Sequence, residues 1–179
     1  YVQAVTEQCI TAGVSVVSVH DQGYPDVLLS DPEAPAVLFF RGNSAVLGSR
    51  RVGIVGTRNA TQRGKYFARE LGAALAAEGV CVISGLARGI DVESHVGALS
   101  QQNGCGPVAV VASGPDVVYP REHHRVWAQI ARNGCLLSEA PPGTVPEPFR
   151  FPMRNRIIAG LSEVLVVVES QSKGGSMIT

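Results

Sequence analysis

Val52-Gly53-Ile54-Val55-Gly56-Thr57-Arg58 decides the fold of this chain: a β-branched run that ends in a glycine-bearing turn carrying a basic residue. The arrangement recurs. Val80-Cys81-Val82-Ile83-Ser84-Gly85-Leu86-Ala87-Arg88-Gly89 repeats it, as does Val108 to Ser113 followed by Gly114 and, further on, Arg121. Leu136-Leu137-Ser138 and Val164 to Glu169, with Ser172-Lys173-Gly174-Gly175 behind it, complete the set. Between the runs lie helical stretches of about a dozen residues, so the chain reads as successive βαβ units with right-handed crossovers. The expected fold is α/β, with a doubly wound, mostly parallel sheet. Ligands of such a sheet sit outside the carboxyl ends of its strands, so the five turns should converge on one surface.

The helices can be placed from their apolar faces. The first presents Phe67, Leu71, Ala74 and Leu75 on one side and stops at Gly79. The second takes Asp91 as its N-cap, buries Val92, Val96 and Leu99, and stops at Asn103-Gly104. A third runs from about Glu122 to Asn133-Gly134 with Val126, Trp127 and Ile130 inward, and a fourth from Arg154 to Leu161. A fifth is due where the chain stops at Thr179, so the last crossover is expected to be unfinished. Residues 1–48 differ from the rest: a short helix, a strand-like Val14 to Val19, then Tyr24-Pro25, Asp31-Pro32 and Ala34-Pro35 ahead of the apolar Val37 to Phe40. Proline excludes a central strand at those points, and the segment reads as an extension packed on a main domain of residues 49–179.

A chain of 179 residues reads as one domain and buries roughly two thirds of its surface on folding. Hydrophobic residues make up 45% of it, and its 20 glycines and 11 prolines gather at the expected turns, which argues against a disordered low-complexity segment. Fifteen basic and fifteen acidic residues cancel, so the broad basic field of many nucleic-acid-binding domains is absent and any anion site has to be local. The four cysteines, Cys9, Cys81, Cys105 and Cys135, show no C-x-x-C spacing and read as reduced structural thiols. No apolar run is long enough to span a bilayer, and no basic-apolar leader is present; a cytoplasmic location is expected.

Glycine-rich turns that open helices offer free backbone amides to an anion. Arg154 and Arg156, read at a helix start, are misplaced by about 0.3–1 kcal/mol each unless an anion is bound there, and Arg58 sits just before another helix start. A dinucleotide would need G-x-G-x-x-G and an acidic end to the second strand, where this chain has Gly53-Ile54-Val55-Gly56-Thr57-Arg58 and Ser84-Gly85. The P-loop pattern is also missing. His95 reads as a hydrogen-bonded helix residue, His123-His124 as a solvated loop with no third metal ligand, and Ser113-Gly114 makes no nucleophile elbow. Neither a cofactor, nor a metal, nor a catalytic constellation is expected. A polyanion laid across several turns fits better, with single-stranded nucleic acid as the natural candidate and Tyr119, Trp127, Phe149 and Phe151 as nearby aromatics. Trp127, among the inward positions of its helix, reads as core.

Beyond the turns, the chain resembles the DprA/Smf family of DNA-processing proteins. The resemblance rests on Tyr24-Pro25 with Leu28, Leu38 to Gly42, Val55-Gly56-Thr57-Arg58, Ser84 to Asp91 with His95 and Ala98-Leu99, Tyr119-Pro120, Ser138-Glu139, and Phe151 to Gly160. It covers almost the whole chain. It implies an extended Rossmann-like fold whose main domain, residues 49–179, binds single-stranded DNA without base specificity and without catalysis. It also implies protection of incoming DNA in natural transformation and loading of RecA recombinase. By the same resemblance, Gly56, Thr57 and Arg58 match the family's G-x-R contact to the DNA backbone. Arg121 matches the basic residue after its Y-P pair, and Ser84 and Gly85, continued by Gly89, match its serine-glycine turn. Arg154, Asn155 and Arg156 lie in the F-P-x-R-N-R block, and Lys173 and Gly175 in a segment where Gly174 replaces the family's serine. Homodimers, and in some members a winged-helix domain, are further family expectations. The alternative is a nucleotide-processing enzyme of the phosphoribohydrolase type, although Gly174-Gly175-Ser176 lacks the proline and glutamate of that signature.

Overall fold

Alternation along the strands sets the two faces of the core. The architecture comes from a computed structural model that describes residues 2–170. Five parallel strands form one contiguous block: β3 (Arg51–Gly56), β4 (Cys81–Ser84), β5 (Val108–Val110), β6 (Cys135–Ser138) and β7 (Val164–Val168). Two strands of the N-terminal segment, β1 (Ser15–Ser18) and β2 (Val37–Gly42), add antiparallel through β2 and β6, and the sheet order is β1-β2-β6-β5-β4-β3-β7. Residues 15–42 thus share the main sheet. Their connection is fastened by Tyr24, whose hydroxyl donates to the Pro35 carbonyl at 2.7 Å.

Successive strand residues point to opposite faces. Val55, Ile83, Val110 and Leu137 turn toward α5 (Arg150–Leu161), which contributes Ile157, Ile158 and Leu161, and toward Leu28 of the 3-10 turn Asp26–Leu28. On the opposite face, Ile54 and Val82 meet α2 (Gln62–Ala77) and α3 (Ile90–Leu99), while Ala109 and Leu136 meet α4 (His124–Asn133) through Trp127 and Ile130. Helix α1 (Val2–Ala12) covers Phe39 with Cys9. The doubly wound, mostly parallel α/β reading is the observed fold.

Several local expectations change. On α2, Phe67 is 53% exposed and Ala74 is also exposed. The buried stripe is Gly64, Ala68, Gly72 and Ala76. This face is small because α2 and α3 touch closely: a Cβ on Gly97 would overlap the Arg69 carbonyl, and one on Gly72 the Ser94 carbonyl. Helix α3 is capped by Gly89, not Asp91, and ends at Leu99, ahead of Asn103-Gly104. Strand β5 ends at Val110, short of Ser113. Helix α5 begins at Arg150, a turn before the expected Arg154, with Pro152 in its first turn. Trp127 is core, at 2% exposure.

Candidate nucleic-acid interface

The parallel strands bring the turns after β3, β4 and β5 to one edge, where they line a cleft together with Tyr119, Pro120 and Phe151. Gly89 allows the first two turns to nest. Its φ is +79°, and a Cβ there would stand 2.7 Å from the Arg58 carbonyl. Gly56 is held as closely, since a Cβ on it would run into Ile90 at 2.5 Å.

Two amide cradles expected to be open are filled by the protein's own carboxylates. At the start of α2, Thr61 N donates to Glu169 Oε2 at 2.8 Å, and the Thr61 hydroxyl donates to Oε1. These bonds, the hydroxyl's first, hold the Glu169 carboxyl below its usual range. The adjacent Thr57 N donates to the Glu169 carbonyl at 2.9 Å. In the β4–α3 turn, Asp91 accepts from Gly85 N at 3.2 Å. Burial pushes its pKa upward, against Arg154 and the backbone amides of Ala87, Gly85 and Gly56. A phosphate placed at the start of α2 or in the β4–α3 turn would meet a carboxyl group of the protein's own.

The arginines separate by what they touch. Arg154 is buried in the floor of the cleft: its guanidinium donates to the Gly85 carbonyl at 2.6 Å and to the Val110 carbonyl, and its Nε donates to Asn155 Oδ1 at 3.2 Å. Burial, the main cause, lowers its pKa to about 10, so it remains charged at neutral pH, opposite Asp91. Arg156 Nη2 lies 2.7 Å from both oxygens of Glu139. Neither arginine occupies the helix start read from the sequence, because α5 begins at Arg150. Arg88 is exposed but paired with Glu122. Ser84 is fully buried, with its hydroxyl donating to the Ile54 carbonyl at 2.5 Å, so burial withdraws its side chain from the surface.

Arg58 and Arg121 remain. Both are exposed, and among the described residues neither has a carboxylate partner. The Arg58 guanidinium lies 5.6 Å over the Phe151 ring, whose centroid is 5.7 Å from that of Tyr119 at a 55° tilt. Arg121 directly follows Pro120 of the cleft wall and opens the 3-10 turn Arg121–His123. The cleft mouth therefore combines unpaired positive charge with two aromatic faces, Tyr119 being 44% exposed. Phe149 stands apart beneath Arg150, 5.0 Å from its guanidinium. Lys173 and Gly175 lie outside the described residues. The local sequence pattern does not reveal that Glu169 and Asp91 fill these cradles; the signal for them is an acidic residue ending the fifth strand-turn unit and another two residues beyond Gly89.

The geometry can be set beside known proteins. The sequence model of a family described as DNA recombination-mediator protein A matches residues 15–179. The chain belongs to that family. It is 41% identical to the DNA processing protein DprA of Bacillus subtilis over 168 residues, 93% of this chain and 56% of the relative. It is 42% identical to Protein Smf of Synechocystis over 89% of this chain and 40% of that one. The solved structure of the family's Streptococcus pneumoniae member superposes with a TM-score of 0.84 at 38% identity, over 92% of this chain and 57% of that one. The Helicobacter pylori member, whose structure concerns its single-stranded DNA binding mode, superposes at 0.80 with 31% identity, over 92% of this chain and 73% of that one. The chain thus spans about half the length of several of the relatives it matches.

Proposed function

We propose that the carboxyl edge of the sheet binds single-stranded DNA without base specificity, with Arg58 and Arg121 on backbone phosphates and bases against Tyr119 and Phe151. The observation that carries this reading is a pair of exposed arginines without a carboxylate partner among the described residues, Arg58 lining the aromatic cleft and Arg121 directly after its Pro120, while the start of α2 and the β4–α3 turn are already filled by Glu169 and Asp91. A mononucleotide phosphate would seek those helix starts; a strand running across them needs side-chain cations at the rim instead. The family's Helicobacter pylori member is described as binding single-stranded DNA, which points the same way.

The reading is non-catalytic. His95 is enclosed, and burial, aided by Arg154, lowers its pKa to about 3, so it stays neutral. The Ser113 hydroxyl donates to the Val117 carbonyl at 2.7 Å. Extended to the whole protein, the reading places it in the cytoplasm as a homodimer that protects DNA taken up in transformation and loads RecA onto it. No helix of the described residues is long and apolar enough to cross a membrane.

Anisotropy of labelled oligo-dT across a salt series tests the edge. Replacing Arg58 and Arg121 together by alanine should flatten the slope of log affinity against log salt by about 1.4, at roughly 0.7 per phosphate on a single strand. An unchanged affinity and slope in the double variant would overturn the assignment.

A further inference from the structure

Three cysteines gather at the amino-terminal end of the sheet, opposite the cleft. Cys81 opens β4 and Cys135 opens β6, both fully buried, and Cys105 lies in the loop that enters β5 between them. The Cys81 and Cys105 thiols share one acceptor: both donate to the Gly106 carbonyl, at 3.4 and 3.6 Å. Cys105 is only half-buried, and its sulfur also lies 3.5 Å from the Ser49 hydroxyl. The loop is fixed in this position by Cys105 N, which donates to the Ala76 carbonyl at 2.9 Å.

The two thiols differ in exposure and in acidity. The neighbouring Cys81 thiol, together with the weaker effect of Ser49, lowers the Cys105 pKa to about 6 against the opposing effect of burial. Cys81 is pushed strongly upward by its neighbour Cys105 and by burial. An accessible thiolate reacts first with an oxidant, and a neighbouring thiol resolves the product. Cys135 is pushed up to about 12 by burial, and Cys9 belongs to the separate cluster under α1.

We propose that Cys81 and Cys105 form a reversible thiol-oxidation site that closes to an intramolecular disulfide under a hydroperoxide. The Cys105 thiolate attacks the peroxide; the O–O bond breaks, an S–O bond forms, and the departing oxygen takes up a proton. The Cys81 sulfur then attacks the sulfenic sulfur, forming S–S and expelling hydroxide, which leaves as water with the Cys81 proton. Two thiols and one hydrogen peroxide become one disulfide and two waters. The bond would tie the loop before β5 to the start of β4, at the far end of the strands from Arg58.

The test treats the full-length protein with hydrogen peroxide, alkylates the remaining thiols and digests without reductant for mass spectrometry. Linked peptides carrying Cys81 and Cys105 are expected, separable by a thiol reductant, with Cys9 and Cys135 recovered alkylated. C105S should leave Cys81 reduced, and C81A should drive Cys105 onward to a sulfinic acid that reductant does not restore. Cys105 reaching sulfinic acid as readily in wild type as in C81A would overturn the proposal, as would a link through Cys9 or Cys135. Wild type and C105S decide the matter by themselves if C81A does not fold.

Discussion

Arg58 and Arg88 both follow strand ends and both are exposed, so a count of charges predicts equal losses when either is removed. The structure predicts unequal ones. Arg58 has no carboxylate partner among the described residues, whereas Arg88 is bound to Glu122. A phosphate neutralised on single-stranded DNA releases about 0.7 of a counterion, which at about 0.1 M salt is a factor of roughly five in affinity. The cation–π contact of Arg58 with Phe151, 5.6 Å to the ring centroid, orders the guanidinium at the cleft mouth. Its loss adds about a factor of two. Arg58→Ala should therefore weaken oligo-dT binding about tenfold and flatten the salt slope by about 0.7. Arg88→Ala should change affinity by no more than about twofold, the scale of an exposed ion pair. Glu122→Gln releases Arg88 to the strand and should tighten binding and steepen the slope by about 0.7. Fluorescence anisotropy over a salt series measures all three. Equal losses for Arg58→Ala and Arg88→Ala, with no change of slope in Glu122→Gln, would refute the reasoning.

Glu169, its pKa depressed in the folded state by Thr61, contributes stability that is present above the unfolded carboxyl pKa and lost as pH falls through the folded one. Urea midpoints of wild type and Glu169→Gln should thus differ near neutrality and converge in acid; a gap that persists at low pH would count against the plug. His95 works in the same pH direction by a different route. Its folded pKa, about 3, lies below the unfolded 6.5, so acidification below 6.5 protonates the unfolded chain first and removes stability. That slope approaches about 1.4 kcal/mol per pH unit and should vanish in His95→Leu, as followed by urea denaturation between neutral and acid pH. Gly97→Ala would ordinarily favour a helix by about 1 kcal/mol. Here the added methyl meets the Arg69 carbonyl, and thermal unfolding should show a loss of about 1–3 kcal/mol instead.

Helix faces built from small residues were hard to read in the sequence because hydrophobic periodicity weighs side-chain size. On α2 the large apolar Phe67 is exposed, whereas the small Gly64, Ala68, Gly72 and Ala76 form the buried stripe. The start of α5 is obscured for a related reason. Pro152 resembles a boundary in sequence, yet proline is accepted in a first helical turn, and the extra turn moves Arg154 from the helix start into the floor of the cleft.

The sequence by itself determined the parallel α/β order, the convergence of strand ends and the candidate arginines, because strand alternation, turns and helix periods are encoded within a few neighbouring residues. Which arginines keep their charge free was decided only by the tertiary structure. Arg156 meets Glu139 across 17 residues, Arg88 meets Glu122 across 34, and Glu169 reaches Thr61 across 108. Such pairings depend on where the sheet brings distant segments together. They are also what leaves Arg58 in the cleft, and Arg121 directly after its Pro120, exposed and without a carboxylate partner among the described residues.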